Sequence, residues 1–307
     1  TFDESPYAKL VADHLGTEHT ELVIEPSSVE ILFKLAKQFD EPIADSSMIP
    51  THLVSSLIRQ HATVALGGDG ADELFGGYPH HRYLAQLEYY RQFLPSYIRK
   101  PLRSAADLAI PVGTKGRNYL LAALSDSSMA MSKFNLYFSK NNQDKLLTKS
   151  TLEKIQMLNG SQILDRSESH HLGLSMEMNP PLLDFLTYLP DDILTKVDRS
   201  SMLTSLEVRA PWLDPAIIDF SLQEIPLHMK GNRASVKMIP KALASKLLPK
   251  SLDINRKQGF SLPLESWFTS RWGELMTDTL LQSDQTMFRH DAVKNLLKRQ
   301  ASGAQNM

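Results

Sequence analysis

Residues Thr63 to Tyr78 read T-V-A-L-G-G-D-G-A-D-E-L-F-G-G-Y. The first four form a short apolar run bounded by turn residues, the pattern of a fully buried parallel strand. A glycine-rich turn follows at once. Gly67, Gly68 and Gly70 remove side-chain clashes, so backbone N–H groups can converge on an anion where Ala71 to Phe75 would open a helix. Asp69, Asp72 and Glu73 then bring three carboxylates to the same place within five residues. Phosphate is repelled by three bare carboxylates, so the combination points to a divalent cation, Mg2+, bridging protein and polyphosphate oxygens. Two other readings stand beside it. One is a solvated acidic turn after a strand; the other is a calcium loop, although the D-x-D-x-D-G ladder that loop needs is absent.

The chain on either side predicts the architecture. Ser5 is placed to cap a first helix, with Pro6 at the first helical position and Gly16 at its end. Glu18 to Ile24 alternates like a strand, and Leu32, Leu35, Ala36 and Phe39 recur at helical spacing. A loop from Asp40 to Pro50 leads into a helix ending near Gln60. This order predicts β–α units around a parallel sheet, with ligands beyond the carboxyl ends of the strands, where Gly67 to Glu73 lies. From Pro79 to about Met178 the pattern turns helical, with Met and aromatic residues as core filling. His80-His81 and His170-His171 are adjacent pairs, and neighbours on a helix point about 100° apart. They are therefore read as surface or packing residues, not as ligands of one ion.

Further on, Pro190 with Asp191 and Asp192 marks a helix start, where carboxylates suit the helix dipole. Asp192, Lys196 and Arg199 fall at i, i+4 and i+7 on one face of that helix, which by itself reads as a surface ion-pair ladder. Glu207 to Pro211 reads as a buried architectural pairing. A helix is expected at about Ser235 to Leu248, kinked at Pro240. After it, R-K-Q-G-F-S-L-P-L-E-S-W-F (Arg256 to Phe268) has the Gly and Pro content of an irregular segment that could close over a ligand. Two polar helices, Trp272 to Gln282 and His290 to Ala301, follow.

Composition narrows the function. The chain has 307 residues, 42% of them hydrophobic, enough for a sizeable core. A net charge of −2 with both signs interspersed gives no electrostatic reason to expect nucleic acid or an anionic membrane as partner. Apolar runs fall well short of the ~20 residues of a membrane span, and there is no secretory h-region, so the expected setting is the cytoplasm. Cysteine is absent, which excludes disulfides, thiolate metal sites and cysteine nucleophiles.

L-G-G-D-G-A-D-E-L-F-G-G-Y resembles the signature of the synthetase domain of glutamine-dependent asparagine synthetases, a family of ATP-pyrophosphate enzymes. Three other stretches agree with that family in the same order: D-E-P-I-A-D-S-S-M-I-P (Asp40 to Pro50), L-P-D-D-I-L-T-K-V-D-R-S-S-M-L-T-S-L-E-V-R-A-P-W-L-D (Leu189 to Asp214), and the segment from Arg256 to Phe268. The resemblance implies an α/β fold with a parallel sheet of the adenine-nucleotide alpha hydrolase, or PP-loop, type and a large helical C-terminal portion, mostly helical overall. Residues 1–78 would be the remaining part of the nucleotide-binding sheet, and residues 79–307 the helical portion that completes one synthetase domain.

The implied reaction is activation of a carboxylate by ATP. The side chain of aspartate attacks the α-phosphorus, pyrophosphate leaves, and ammonia derived from glutamine displaces AMP. Asp69 matches a position that the family fills with an acidic residue, or with tyrosine in its β-lactam-forming relatives. It is the candidate general base, with Asp192 nearby as a supporting carboxylate whose closeness would raise its pKa. Asp72 would hold Mg2+. Lys257, matching the family's loop lysine, would contact phosphates and the reacting acyl centre beside Arg256, while Gly67, Gly68 and Gly70 meet the nucleotide through backbone groups. Asp45, Ser46 and Ser47 are candidates for substrate or phosphate contacts. Alternatives within the same scaffold are an amidotransferase acting on another carboxylate, for example in carbohydrate or polysaccharide biosynthesis, or a catalytically inactive scaffold. A homodimer is admitted, though nothing in the residues calls for one. Two family features are missing from these residues: the S-G-G-x-D-S ATP loop with its Mg2+-binding carboxylate, and the N-terminal glutaminase domain. The expectation is a chain that begins inside the synthetase domain and, alone, neither hydrolyses glutamine nor binds ATP tightly.

Overall fold

The computed structural model describes residues 3–22, 29–91, 93–110, 114–125, 138, 140–157, 179–255, 271–283 and 285–301. It is mostly helical with one small parallel sheet. The chain divides into two compact units, residues 1–82 with 181–262, and residues 83–180 with 263–307. No described helix is long and apolar enough to cross a membrane.

The first unit begins with α1 (Ser5–Leu15), α2 (Glu30–Gln38) and α3 (Met48–Ile58). Ser5 is the first residue of α1 and not its cap. Glu4 holds the cap position, and the Asp3 side chain accepts from the Ser5 N–H at 3.0 Å. Gly16, at φ 64°, ends the helix as expected, in a left-handed conformation that costs glycine little. Glu18 to Leu22 has no regular structure, and the rest of that expected strand lies outside the described residues. Alternation favours a strand only where another strand edge accepts its hydrogen bonds, and no such partner exists among the described residues.

The sheet pairs β1 (Val64–Leu66) in parallel with β2 (Glu207–Arg209), Ala65 opposite Val208. Gly67 prolongs the ladder, its N–H donating to the Arg209 carbonyl at 2.7 Å. Parallel pairing agrees with the sequence; burial does not. Val64 and Leu66 are 42% and 74% exposed. Apolar composition says what a strand can bury, not whether a layer covers it. Glu207 and Arg209, expected as a buried pairing, project from the same face of β2 and pair with each other at 2.7 Å, both largely exposed.

After the turn, α4 (Ala71–Phe75) drives Leu74 and Phe75 into a core with Ile225, where Phe75 meets Trp212 edge-on at 5.5 Å. Here α5 (Pro79–Arg91) begins. The helix expected to start at Pro190 is instead part of a longer helical run. Pro180–Leu186 is followed by a π-helical turn, Leu189–Leu194, that passes directly into the helix Thr195–Met202. Pro190 lacks the N–H for a regular i→i−4 bond and its ring crowds the preceding turn, which accounts for the local widening. The helix Met238–Leu247 starts later than expected, so Pro240 lies in its first turn and causes no kink.

The second unit is helical throughout its regular described segments. Leu84, Leu87 and Ala122 form one core cluster, and Ala106, Leu121 and Leu124 another. Its buried arginines serve the backbone: Arg99 donates to the Ser125 carbonyl at 2.8 Å and Arg117 to the Ile110 carbonyl at 2.9 Å. Helices Arg271–Leu281 and His290–Ala301 match the two polar helices read from the sequence.

Candidate active site

Two helices position the first group of side chains. Helix Thr195–Met202 packs on α3 through small residues, with Ser55, Ser200 and Ser201 all buried, so the two backbones approach closely. His52 Nδ1 lies 3.2 Å from the Ser200 carbonyl across the same contact. This packing carries Lys196 to the loop that precedes α3. Its Nζ donates to Asp45 Oδ2 at 2.8 Å, while Asp45 Oδ1 accepts from the Ser47 N–H at 2.8 Å. Arg199, one turn on, pairs with Asp40. The face read as a surface ladder thus faces the Asp40–Ser47 loop, and Lys196 is buried.

Asp69 and Asp192 both lie in the field of that buried ammonium. Burial pushes the Asp69 carboxyl above the usual aspartate range, against the pull of Lys196. Burial also raises Asp192, helped by the charge of Asp45 and opposed by Lys196 and by a hydrogen bond from the Tyr188 hydroxyl. Asp45 goes the other way: burial would raise it, but hydrogen bonds from Lys196 and Ser47 outweigh burial and hold it low. A neighbouring carboxylate was the expected cause of a raised Asp69. The cause is desolvation instead, and the carboxylate that Asp192 senses is Asp45.

The three acidic residues of the turn do not converge on one point. Asp69 looks to Lys196, whereas Asp72 pairs with Lys237, whose Nζ is 2.9 Å from Oδ1. That contact has ion-pair distance without hydrogen-bond alignment, so Asp72 Oδ1 is buried with no hydrogen-bond partner. Glu73 turns inward, 2% exposed, and accepts from the Tyr78 hydroxyl. Gly77 makes room for the Asp72 arrangement, since a Cβ there would lie 1.6 Å from Asp72 Oδ1 and 2.4 Å from Lys237 Cε. Lys237 itself is held at φ 52°, a left-handed conformation unusual for lysine.

The glycines of the turn divide similarly. Gly68 is exposed, and no atom lies within 4 Å of the place a Cβ would take, so its backbone is open to a ligand. Gly70, at φ 91°, has a packing reason to be glycine, because a Cβ would meet Leu213 Cδ2 at 2.3 Å. At Gly67 a Cβ would meet Asp69 Oδ2 at 2.9 Å. Arg256 and Lys257 lie outside the described residues, as do His170 and His171.

The pair His80 and His81 was expected to diverge. Both Nε2 atoms instead reach one oxygen, Asp184 Oδ2, at 2.8 and 2.7 Å. The pair opens α5, where ring rotation compensates for the angle between neighbours: the imidazoles sit 4.5 Å apart at 78° to each other. Burial would raise the Asp184 carboxyl, but the two imidazole hydrogen bonds outweigh it and keep it low. Burial pushes His81 below the usual histidine range. Tyr78 stacks on His80 and touches Tyr188 edge-on at 5.8 Å, which links this cluster to the one around Lys196. Asp184 carried a sequence signal, a lone carboxylate in the apolar run P-P-L-L-D-F-L, which needs a buried partner. Lys237 carried none.

A family model described as asparagine synthase matches residues 1–307. The chain belongs to the asparagine synthase family. Glutamine-hydrolysing asparagine synthetase 1 of Bacillus subtilis is 30% identical over 302 residues, covering 97% of this chain and 46% of its own length. A putative asparagine synthetase of Mycobacterium tuberculosis (strain H37Rv) is 28% identical over 286 residues, 90% of this chain and 41% of its own. A putative asparagine synthetase of Methanocaldococcus jannaschii is 31% identical over 211 residues, 66% of this chain and 38% of its own. The chain thus spans less than half the length of these curated relatives. No solved structure matches it.

Proposed function

We propose that this asparagine synthase family chain carries the site for ATP-dependent adenylation of the aspartate side chain and its amidation by ammonia, with AMP and pyrophosphate as the other products. The observation that carries the reading is the separation of Asp69 from Asp72. Three residues apart in one turn, they answer to different cations, Lys196 and Lys237. A reaction that needs a base at the acyl centre and a cation at the leaving phosphates calls for that division of labour.

Asp69, whose carboxyl burial raises above the usual aspartate range, takes the proton that ammonia must lose as it attacks the acyl-adenylate. Lys196 sets the charge around it, with Asp192 in the field of the same ammonium, and Asp45, fixed by the Ser47 N–H, holds Lys196 in place; Ser46, the Gly67 carbonyl and the backbone of Gly68 are left to contact substrate or nucleotide. Asp72 already draws a cation to its Oδ1, the Lys237 ammonium at 2.9 Å, and a carboxylate in such a setting would hold Mg2+, which when bound supplies positive charge to the polyphosphate. Lys237 adds a second cation there, and Lys257 with Arg256 is assigned to the phosphates on the family resemblance. The PP-loop type of sheet, the division into a nucleotide-binding sheet (1–78) and a helical portion (79–307), a glutaminase domain as the ammonia source, and a cytoplasmic setting belong to the same proposal.

Pyrophosphate release and amide formation by the complete gene product test it, with aspartate and then other carboxylates as acceptor. Asp69→Ala should lower amide formation by about 10²–10⁴-fold, the range of a lost general base, while far-ultraviolet circular dichroism stays unchanged. Undiminished amide formation in that variant overturns the site assignment; activity on another carboxylate but not on aspartate overturns the substrate.

A further inference from the structure

The His80–His81–Asp184 cluster has no role in the reaction proposed above, yet its geometry is specific. Asp184 is 3% exposed on the helix Pro180–Leu186, His81 is buried at 6%, and His80 is partly open, with 15% of its side chain exposed. One atom from each, two imidazole nitrogens and a carboxylate oxygen, lies within 4.8 Å of the other two.

Hydrogen bonding alone leaves this pocket short of positive charge. Asp72, Glu73 and Asp184 act on one another or on shared neighbours through their charges. Of the three, only Asp72 has a lysine or arginine as ion-pair partner among the described residues. Glu73 is answered by a tyrosine hydroxyl and Asp184 by two imidazoles. A divalent ion seated between the two Nε2 atoms and Oδ2 would take the place of the two hydrogen bonds, each neutral imidazole keeping its proton on Nδ1, and so add the missing charge. Ligand distances of about 2.0–2.1 Å in a tetrahedral arrangement put ligand atoms about 3.3 Å apart, so contacts now at 2.7–2.8 Å need open by only about half an ångström. Two nitrogen donors with one carboxylate suit zinc, cobalt or iron(II), whereas Mg2+ and Ca2+ take oxygen. The exposed edge of His80 provides the entry path, and a three-residue ligand set leaves a coordination position for water.

We propose that His80, His81 and Asp184 form a binding site for one divalent first-row transition ion, separate from the Mg2+ position at Asp72. The test needs no nucleotide and no turnover. The purified chain is titrated with Co2+ and followed by visible absorption, with Zn2+ as competitor. Because the chain has no cysteine, thiolate bands cannot confuse the spectrum. The expected result is one Co2+ per chain, displaced by Zn2+, with affinity falling by more than about tenfold in His80→Ala and in Asp184→Asn. A His170→Ala, His171→Ala double variant should bind as the wild type does. Absence of one-to-one binding to the wild-type chain overturns the site, as does binding that survives His80→Ala. Since His80 is partly exposed, that variant decides the question even where Asp184→Asn fails to fold.

Discussion

The two carboxylate clusters of the first unit balance their acids in opposite ways. Around Lys196, one buried ammonium serves Asp45 directly and Asp69 and Asp192 at longer range, so one acid is held low and two are raised. Around Asp184, a hydroxyl and two imidazoles answer the acids in place of a lysine or arginine: Tyr78 for Glu73, and His80 with His81 for Asp184. A shared cation that is outnumbered leaves acids poised to take protons. Hydrogen-bond donors matched to each acid close the cluster and fix its shape. On the function proposed above, chemistry belongs with the first arrangement, and support or ion binding with the second.

If Lys196 is what holds the first cluster, removing it is the largest perturbation available. Lys196→Met strands Asp45 and removes the attraction that moderates Asp69 and Asp192. The expected cost is about 3 kcal/mol, at the lower end of what stranding one member of a buried ion pair costs, because Asp45 keeps 20% of its side chain exposed. Urea unfolding measures it, and Lys196→Met with Asp45→Asn should recover most of the loss. A single variant as stable as the wild type would show that Lys196 is not the organising charge.

The sequence made some of this legible and hid the rest for definable reasons. The helices ending at Gly16 and beginning at His290 were readable because cap and periodicity agree locally, and the pairing of β1 was expected to be parallel. Its exposure was not readable, since V-A-L specifies affinity for cover and not its presence. At Pro190 a residue that usually begins helices sits inside one, as the adjoining segments Pro180–Leu186 and Thr195–Met202 supply the packing that keeps the run helical. For the site, G-G-D-G-A-D-E located Asp69 and Asp72 but implied a single acidic centre. Their separation depends on Lys196 and Lys237, both distant in sequence: Lys196 lay in a helical pattern that reads as a surface ladder, and Lys237 carried no local pattern. His80 and His81 were set aside as ion ligands on backbone geometry, which did not foresee that side-chain rotation at the start of α5 brings both rings to one oxygen of Asp184.

The boundary between the clusters can be strained at Gly77. In Gly77→Ala the new methyl group collides with Asp72 Oδ1 and Lys237 Cε, so the Asp72–Lys237 pair must shift. About 1–3 kcal/mol of stability is expected to go, the usual cost of overpacking a buried position. Thermal unfolding of Gly77→Ala against Gly77→Ala with Lys237→Gly checks the cause. The double variant should be the more stable of the two, since shortening residue 237 removes one of the colliding atoms and glycine accepts its left-handed backbone. Equal melting temperatures would place the strain elsewhere.

The smallest effect is at Glu73. Burial raises its carboxyl above the ordinary glutamate value, against the hydrogen bond from Tyr78, and the charges of Asp72 and Asp184 add to the rise. A raised folded-state pKa means that the protonated form suits the fold. The stability this group contributes is fully present below its unfolded value, ~4.3, and is lost as pH climbs through the higher folded value. Glu73→Gln keeps an acceptor for Tyr78 and carries no charge. At pH 7 it should match or exceed the wild type by up to about 1 kcal/mol, a gain that disappears as pH falls to ~4. The comparison of clusters rests on the sign. Destabilisation by Glu73→Gln at pH 7 with no change at pH 4 would mean that an unseen cation already compensates Glu73, and that the second cluster is built on charge as the first is.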